Sequence, residues 1–181
     1  MRELDIIAQT LELLGEDQLA TSVDNLAALS SMKSPKELMR WMHKHIRYAN
    51  FSKLLSPEEV VRAGRADCHS QALLQKTVLD QMGVKNARLF FIEYTLESSS
   101  GGQTHTLSYT TSGGIYWLEN AWGDQMGMHG PFGSLSALKE RITAIHAKGP
   151  TVKQFPHLLF APCKIVTPGI SLNTYVQTCL R

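Results

Sequence analysis

Apolar residues recur every three or four positions through the first third of the chain, then give way to aromatic and branched runs. That change predicts helices first and strands after. Leu4, Ile7, Ala8, Leu11 and Leu14 form one helical stripe stopped by Gly15, and Leu19, Val23, Leu26, Ala27 and Leu29 form a second. Ser34-Pro35-Lys36-Glu37 and Ser56-Pro57-Glu58-Glu59 each place a Ser cap, a Pro at the first helical position and a Glu three residues after the cap. Such a capping box satisfies backbone N–H groups that a helix start would leave unpaired, so helices are expected over 35–46 and 57–63. A longer one is expected from about Asp67 to Met82, with Ala72, Leu73, Leu79 and Met82 inward and Gly83 as its left-handed stop.

Beyond Gly83 the pattern reads as extended. Ala87–Leu96 has strand composition, and Thr104–Thr111 and Ile115–Trp122 flank a turn at Ser112-Gly113-Gly114. Gly123–Gly133 reads as a glycine-rich loop, Leu135–Ala147 as a helix and Leu158–Val166 as a last strand. No linker divides the chain. The expectation is one α+β domain over 1–181, with a core at about 34–147, a helical N-terminal extension over 1–33 and a C-terminal extension over 150–181.

Composition narrows the class. The 181 residues suffice to bury roughly 70% of the unfolded surface without disulfides or metal. Eighteen Lys and Arg against sixteen Asp and Glu give +2, too mild and too dispersed to suggest a nucleic-acid partner. No apolar run reaches the roughly 20 residues of a membrane span, and charges at Arg2, Glu3, Asp5 and Glu12 break up any signal-peptide core. Three cysteines, Cys68, Cys163 and Cys179, are an odd and sparse set. They fit a reducing, cytoplasmic compartment in which one thiol does chemistry.

Cys68 is the cysteine placed where a helix should begin, after Gly64-Arg65-Ala66-Asp67. There the positive end of the helix dipole favours the thiolate, which is the nucleophilic form. A base and an acceptor to orient it are then needed. His105 is expected mid-strand, and the following strand offers Glu119 and Asn120, which point to opposite faces. A two-residue loop would pair His105 near Trp122, and a longer one near Asn120 or Ala121. The face shared with His105 therefore stays open between Glu119 and Asn120. His43 and His45, two apart on a helix, read as solvated. His69, next to Cys68 on the helix, points away from it, with the cleft wall as the alternative reading. No paired ligand spacing supports zinc, and the glycine-rich loop lacks a phosphate-binding pattern, so neither a metal nor another cofactor is expected.

A Cys opening a helix, a His on one strand and an Asn on the next resembles the transglutaminase-like, papain-like cysteine superfamily. The helix ending in Ile46-Arg47-Tyr48, the Ser56–Val61 helix followed by Gly64 and Cys68, and Gly83-Val84 leading to Ala87-Arg88 are similar to that family's elements. So are Thr104-His105-Thr106 and Trp117-x-x-Asn120-x-Trp122, and the resemblance spans roughly Ser34 to Asp124. It implies a single-domain fold in which the Cys helix packs on an antiparallel sheet. It further implies Cys68 as nucleophile, His105 as base and acid, and Asn120 as the orienting group, with Glu119 as its rival. Tyr48, Arg47 and Trp122 would border the cleft or the oxyanion. Asn stands where many members carry Asp, Ala66-Asp67-Cys68 replaces a Gly-x-Cys, and Arg62 stands where a papain-like enzyme has its oxyanion Gln.

The implied activity is acyl transfer on an amide of a protein or peptide substrate through a Cys68 thioester, as a peptidase or glutamine deamidase. Amine transfer, which crosslinks proteins, and a non-catalytic binding scaffold are the alternatives.

Overall fold

The structure, a computed structural model, describes residues 24–84, 86–96, 102–110, 114–147, 152–154 and 167–179. The Leu4–Leu14 stripe and the whole strand expected at Leu158–Val166 lie outside these. Within them the chain is α+β. Helices α1 (24–31), α2 (Pro35–His45), α3 (Pro57–Ala63) and α4 (Cys68–Gln81) come first, interrupted by the short strands β1 (Arg47–Tyr48) and β2 (Arg65–Ala66). Strands β3 (Arg88–Leu96), β4 (Gly102–Thr110), β5 (Ile115–Glu119) and β6 (Gly127–Phe132) follow. Then come α5 (Leu135–Ala147), β7 (Val152–Gln154) and α6 (Leu172–Cys179).

The two Ser-Pro starts behave differently. Ser56 makes the full box: its side chain accepts from Glu59 N–H at 3.2 Å and Glu59 Oε2 accepts from Ser56 N–H at 2.8 Å. Ser34 accepts from Glu37 N–H, but the Glu37 carboxylate reaches one residue further back, to Lys33 N–H at 2.9 Å. Helix α3 ends on Gly64 at φ +60, and α4 is followed by Gly83 at φ +73, the left-handed turn that glycine adopts without a Cβ penalty.

The main sheet runs β6-β5-β4-β3-β7, all antiparallel. Strand β6 falls inside the segment expected to be a loop. Its glycines lower strand propensity, yet they suit this edge: a Cβ on Gly130 would meet Ile115 O at 2.6 Å. Strand β5 is shorter than expected, ending at Glu119, because the Glu119 carboxylate turns the chain over residues 120–122. The pairs β1–β2 have no periodic signal at two residues each, and the sequence gives no warning of them.

The pleat sorts the sheet into two rows. Ala87, Leu89, Ser108 and Leu118 share one face; Arg88, Leu107, Tyr109 and Trp117 share the other. Ala87 and Leu118 join Leu38, Met42, Leu74, Val78 and Leu79 in the main core, so α2 and α4 cover the first face. Leu138 and Ile142 of α5 are fully buried, and α5 packs on β5 and β6. The C-terminal stretch is integral to the body: Tyr175 of α6 is buried with Leu54 and Leu73, and Leu54 exchanges backbone hydrogen bonds with Gly169 and Ile170.

Two outcomes follow from this packing. Leu118→Ala empties a site at the junction of sheet and helices and should cost about 2–5 kcal/mol in urea unfolding. Glu59 is held below its ordinary value of 4.5, first by the Lys53 ammonium at 2.8 Å and then by the Ser56 N–H. A depressed carboxylate stabilises the fold above its unfolded pKa and loses that contribution as pH falls through the folded value. The Tm difference between wild type and Glu59→Gln should therefore be constant near neutrality and shrink below pH 4.5.

Candidate active site around Cys68

Cys68 is the first residue of α4 and is buried, 5% exposed. Helix geometry gives its N–H no acceptor within the helix, and the dipole places positive potential there. The preceding Asp67 is the N-cap. Its Oδ1 accepts from Ser70 N–H at 2.9 Å and its Oδ2 from the Ser70 hydroxyl at 3.2 Å. The same hydroxyl accepts from Leu55 N–H at 3.0 Å, so the cap is stitched to the loop before α3.

One turn into α4, Gln71 was not anticipated from sequence, although its i,i+3 spacing from Cys68 puts the two on one helix face. Its Nε2 donates to Ala66 O at 2.8 Å and to Arg47 O at 3.4 Å, and its Oε1 accepts from Asn120 Nδ2 at 2.8 Å. Asn120 Nδ2 also donates to Ile46 O at 3.2 Å. Three segments thus meet on one amide pair: the end of α2, the β1–β2 ladder and the chain leaving β5. Asn120 was expected to orient His105. Its nitrogen is engaged in this knot, and among the described residues its buried Oδ1 accepts no hydrogen bond.

Glu119 is 2% exposed, and its Oε1 accepts from Ala121 N–H at 2.8 Å and Trp122 N–H at 3.0 Å. Trp122 sits 6.1 Å from Trp117, which stacks on His129 at 4.4 Å; Trp117 is fully buried, as a packing residue should be. His105 stands opposite Ile92 in the β3–β4 ladder. The β4–β5 register pairs Ser108 with Leu118 and Tyr109 with Trp117. Carried one step along the pleat, it puts Glu119 in the row of His105 and Leu107, whereas Asn120 lies beyond the end of β5. The row of His105 lies on the face other than that of Ala87 and Leu118, the residues that pack with α4.

Of the other candidates, Tyr48 is exposed and its hydroxyl donates to Asn50 Oδ1 at 2.9 Å. Arg47 and Arg65 are exposed and directly abreast in the parallel β1–β2 pair, and β2 runs into Asp67 and Cys68. Like charges abreast repel, and neither forms an ion pair among the described residues. His69 is buried against Tyr175, with ring centroids 5.1 Å apart, and His45 stacks on Trp41 at 4.8 Å, so His45 is less solvated than expected. Among the described residues no three His, Cys, Asp or Glu side chains gather as metal ligands would. A cleft of about 530 Å³ lies between α2 and the β5–β6 edge, and neither Cys68 nor Asn120 lines it.

The chain matches no protein-family model and no curated protein sequence.

The charges around Cys68 have opposite expected effects on its thiolate population. At pH 7 the iodoacetamide alkylation rate of Cys68, followed by mass spectrometry, should rise about two- to fivefold in Asp67→Asn, since Asn retains the cap but not the charge. It should fall by a similar factor in Arg47→Gln/Arg65→Gln.

Proposed function

We propose that the protein is a cysteine-dependent acyl-transfer enzyme acting on amides of protein or peptide substrates, with Cys68 as nucleophile. The observation that carries the reading is the position of Cys68 at the first residue of α4, at the positive end of a helix that follows directly on the β2 strand of Arg65. The order of Cys68, His105 and the Glu119-Asn120 pair, and its resemblance to transglutaminase-like enzymes, supports the same reading.

In this mechanism Cys68 Sγ attacks the amide carbonyl; the S–C bond forms, the C–N bond breaks, and His105 passes the thiol proton to the departing nitrogen. Water then attacks the thioester carbonyl, a C–O bond forms as the C–S bond breaks, and His105 passes a proton of that water to the sulfur. The Cys68 N–H is one oxyanion donor. Glu119 orients His105, because register puts the two in one row while the Asn120 nitrogen is committed to Ile46 and Gln71. Hydrolysis, of a peptide bond or a glutamine amide, is the favoured outcome since water is the default acceptor unless a site excludes it.

A second reading, a non-catalytic scaffold that binds a protein or peptide, is favoured by one specific observation. The row of His105 is on the sheet face other than the one that packs with α4.

Peptide cleavage, ammonia release and amine incorporation, assayed on a glutamine-containing peptide library, separate these readings. The enzyme reading expects a Cys68 acyl adduct, loss of at least about 10³-fold in Cys68→Ala and His105→Ala, and about 10²-fold in Glu119→Gln. Turnover that survives Cys68→Ala, or capture of peptide with no turnover, would sink it.

A further inference from the structure

The cleft between α2 and the β5–β6 edge has the composition of a binding site, and nothing in the acyl-transfer reading uses it. Its helical wall is one stripe of α2: Lys36, Met39, Arg40 and His43 stand at i, i+3, i+4 and i+7, so they share a face. Met39 is 4% exposed and forms the floor, while Lys36, Arg40 and His43 are exposed at the rim. The opposite wall comes from Met126 and Met128 with Tyr116 of β5. At Gly127 the wall is bare backbone, and the space where a Cβ would project is open.

The charge on the rim is uncompensated. The ion pairs among the described residues are Lys53–Glu59 and Lys76–Asp80, so neither Lys36 nor Arg40 has a carboxylate partner. Arg40 Nε donates to Lys36 O at 3.4 Å, a contact that leaves its positive charge unmatched. Glu37, the acid nearest to them on α2, accepts from Lys33 N–H instead. The Tyr116 phenol makes no hydrogen bond among the described residues, which leaves it available as a further donor at the sheet wall. The cleft thus joins a thioether floor, which adapts to flexible apolar chains, to a rim of donors that wants an anion.

We propose that this cleft binds a small amphiphilic carboxylate, with its carboxylate on Lys36 and Arg40 and its apolar chain over Met39, Met126 and Met128. A volume of about 530 Å³ is in the range of small-molecule sites, so the occupant is a single-chain molecule. The site stands whether or not Cys68 is a nucleophile.

The seven methionines make the test direct. The full chain, carrying ¹³C-methyl methionine, is titrated with decanoate below its micelle threshold, with 1-decanol and with acetate as controls. Decanoate should shift the Met39, Met126 and Met128 methyls saturably and leave Met42 and Met82, in the main core, in place. Decanol should bind at least tenfold more weakly and acetate should give no saturable shift. Lys36→Gln/Arg40→Gln, at exposed positions that spare the fold, should weaken decanoate about tenfold, and Lys36→Arg/Arg40→Lys should restore it. Equal binding of decanoate and decanol, unchanged affinity in Lys36→Gln/Arg40→Gln, or methyl shifts that never saturate would each overturn the proposal.

Discussion

The amide pair of Gln71 and Asn120 is the constraint on which the site geometry depends. It is buried where three chain segments meet, and it adds side-chain donors to carbonyls at two of them, of which Ala66 O also accepts from the Ala49 N–H at 3.0 Å. Ile46 follows the last turn of α2, Arg47 and Ala66 belong to a ladder only two residues long, and Asn120 stands just past β5. The Gln71 and Asn120 nitrogens supply donors to Ala66, Arg47 and Ile46, and Asn120 donates to Gln71 itself. A buried carbonyl left without a donor costs on the order of 1–3 kcal/mol, so replacing either amide by an apolar residue loosens several elements together. Because Gln71 is one turn from Cys68, the start of α4 is fixed against the end of α2 and the exit of β5 by the same contacts.

Two opposing charges then set the field at the helix start. Asp67 is the better cap because its carboxylate engages both the Ser70 N–H and the Ser70 hydroxyl, but a negative charge there competes with a thiolate for the helix dipole. The parallel β1–β2 pair brings Arg47 and Arg65 abreast, and β2 runs directly into Asp67 and Cys68. Cap strength and thiolate stabilisation are thus separable. The cap depends on an acceptor atom, whereas the thiolate depends on net charge, and an Asn at position 67 would distinguish the two.

Patterns that repeat were readable from the chain. Helices α2 and α3 announced themselves through Ser-Pro caps, α4 through its Gly83 stop, and β3, β4 and β5 through aromatic and branched runs around a glycine turn. Features that rest on long-range contacts were not. Strand β6 is hidden because its glycines answer the close approach of β5, seen at Gly130 against Ile115 O, and not a local propensity. β1 and β2 are too short to carry a period. Helix α6 owes its place to Tyr175 filling a gap between Leu54 and Leu73. At the site, Cys68 at a helix start was readable because caps are local, but the choice between Glu119 and Asn120 needed the hairpin register, which the turn residues leave undetermined.

That register also explains why two adjacent polar residues have such different surroundings. Glu119 is the last residue of β5, and its carboxylate holds the N–H groups of Ala121 and Trp122, closing the turn that ends the strand. The turn carries Asn120 toward α4, where its nitrogen reaches Ile46 and Gln71. Its Oδ1 is then left buried with no donor among the described residues, a cost the knot sustains because flipping the amide would set oxygen against two acceptors, Ile46 O and Gln71 Oε1. The amide orientation is therefore dictated by Gln71, which is in turn dictated by Ala66 and Arg47. A change at Gln71 would free Asn120 to turn, so the strand end and the helix start form one cooperative unit.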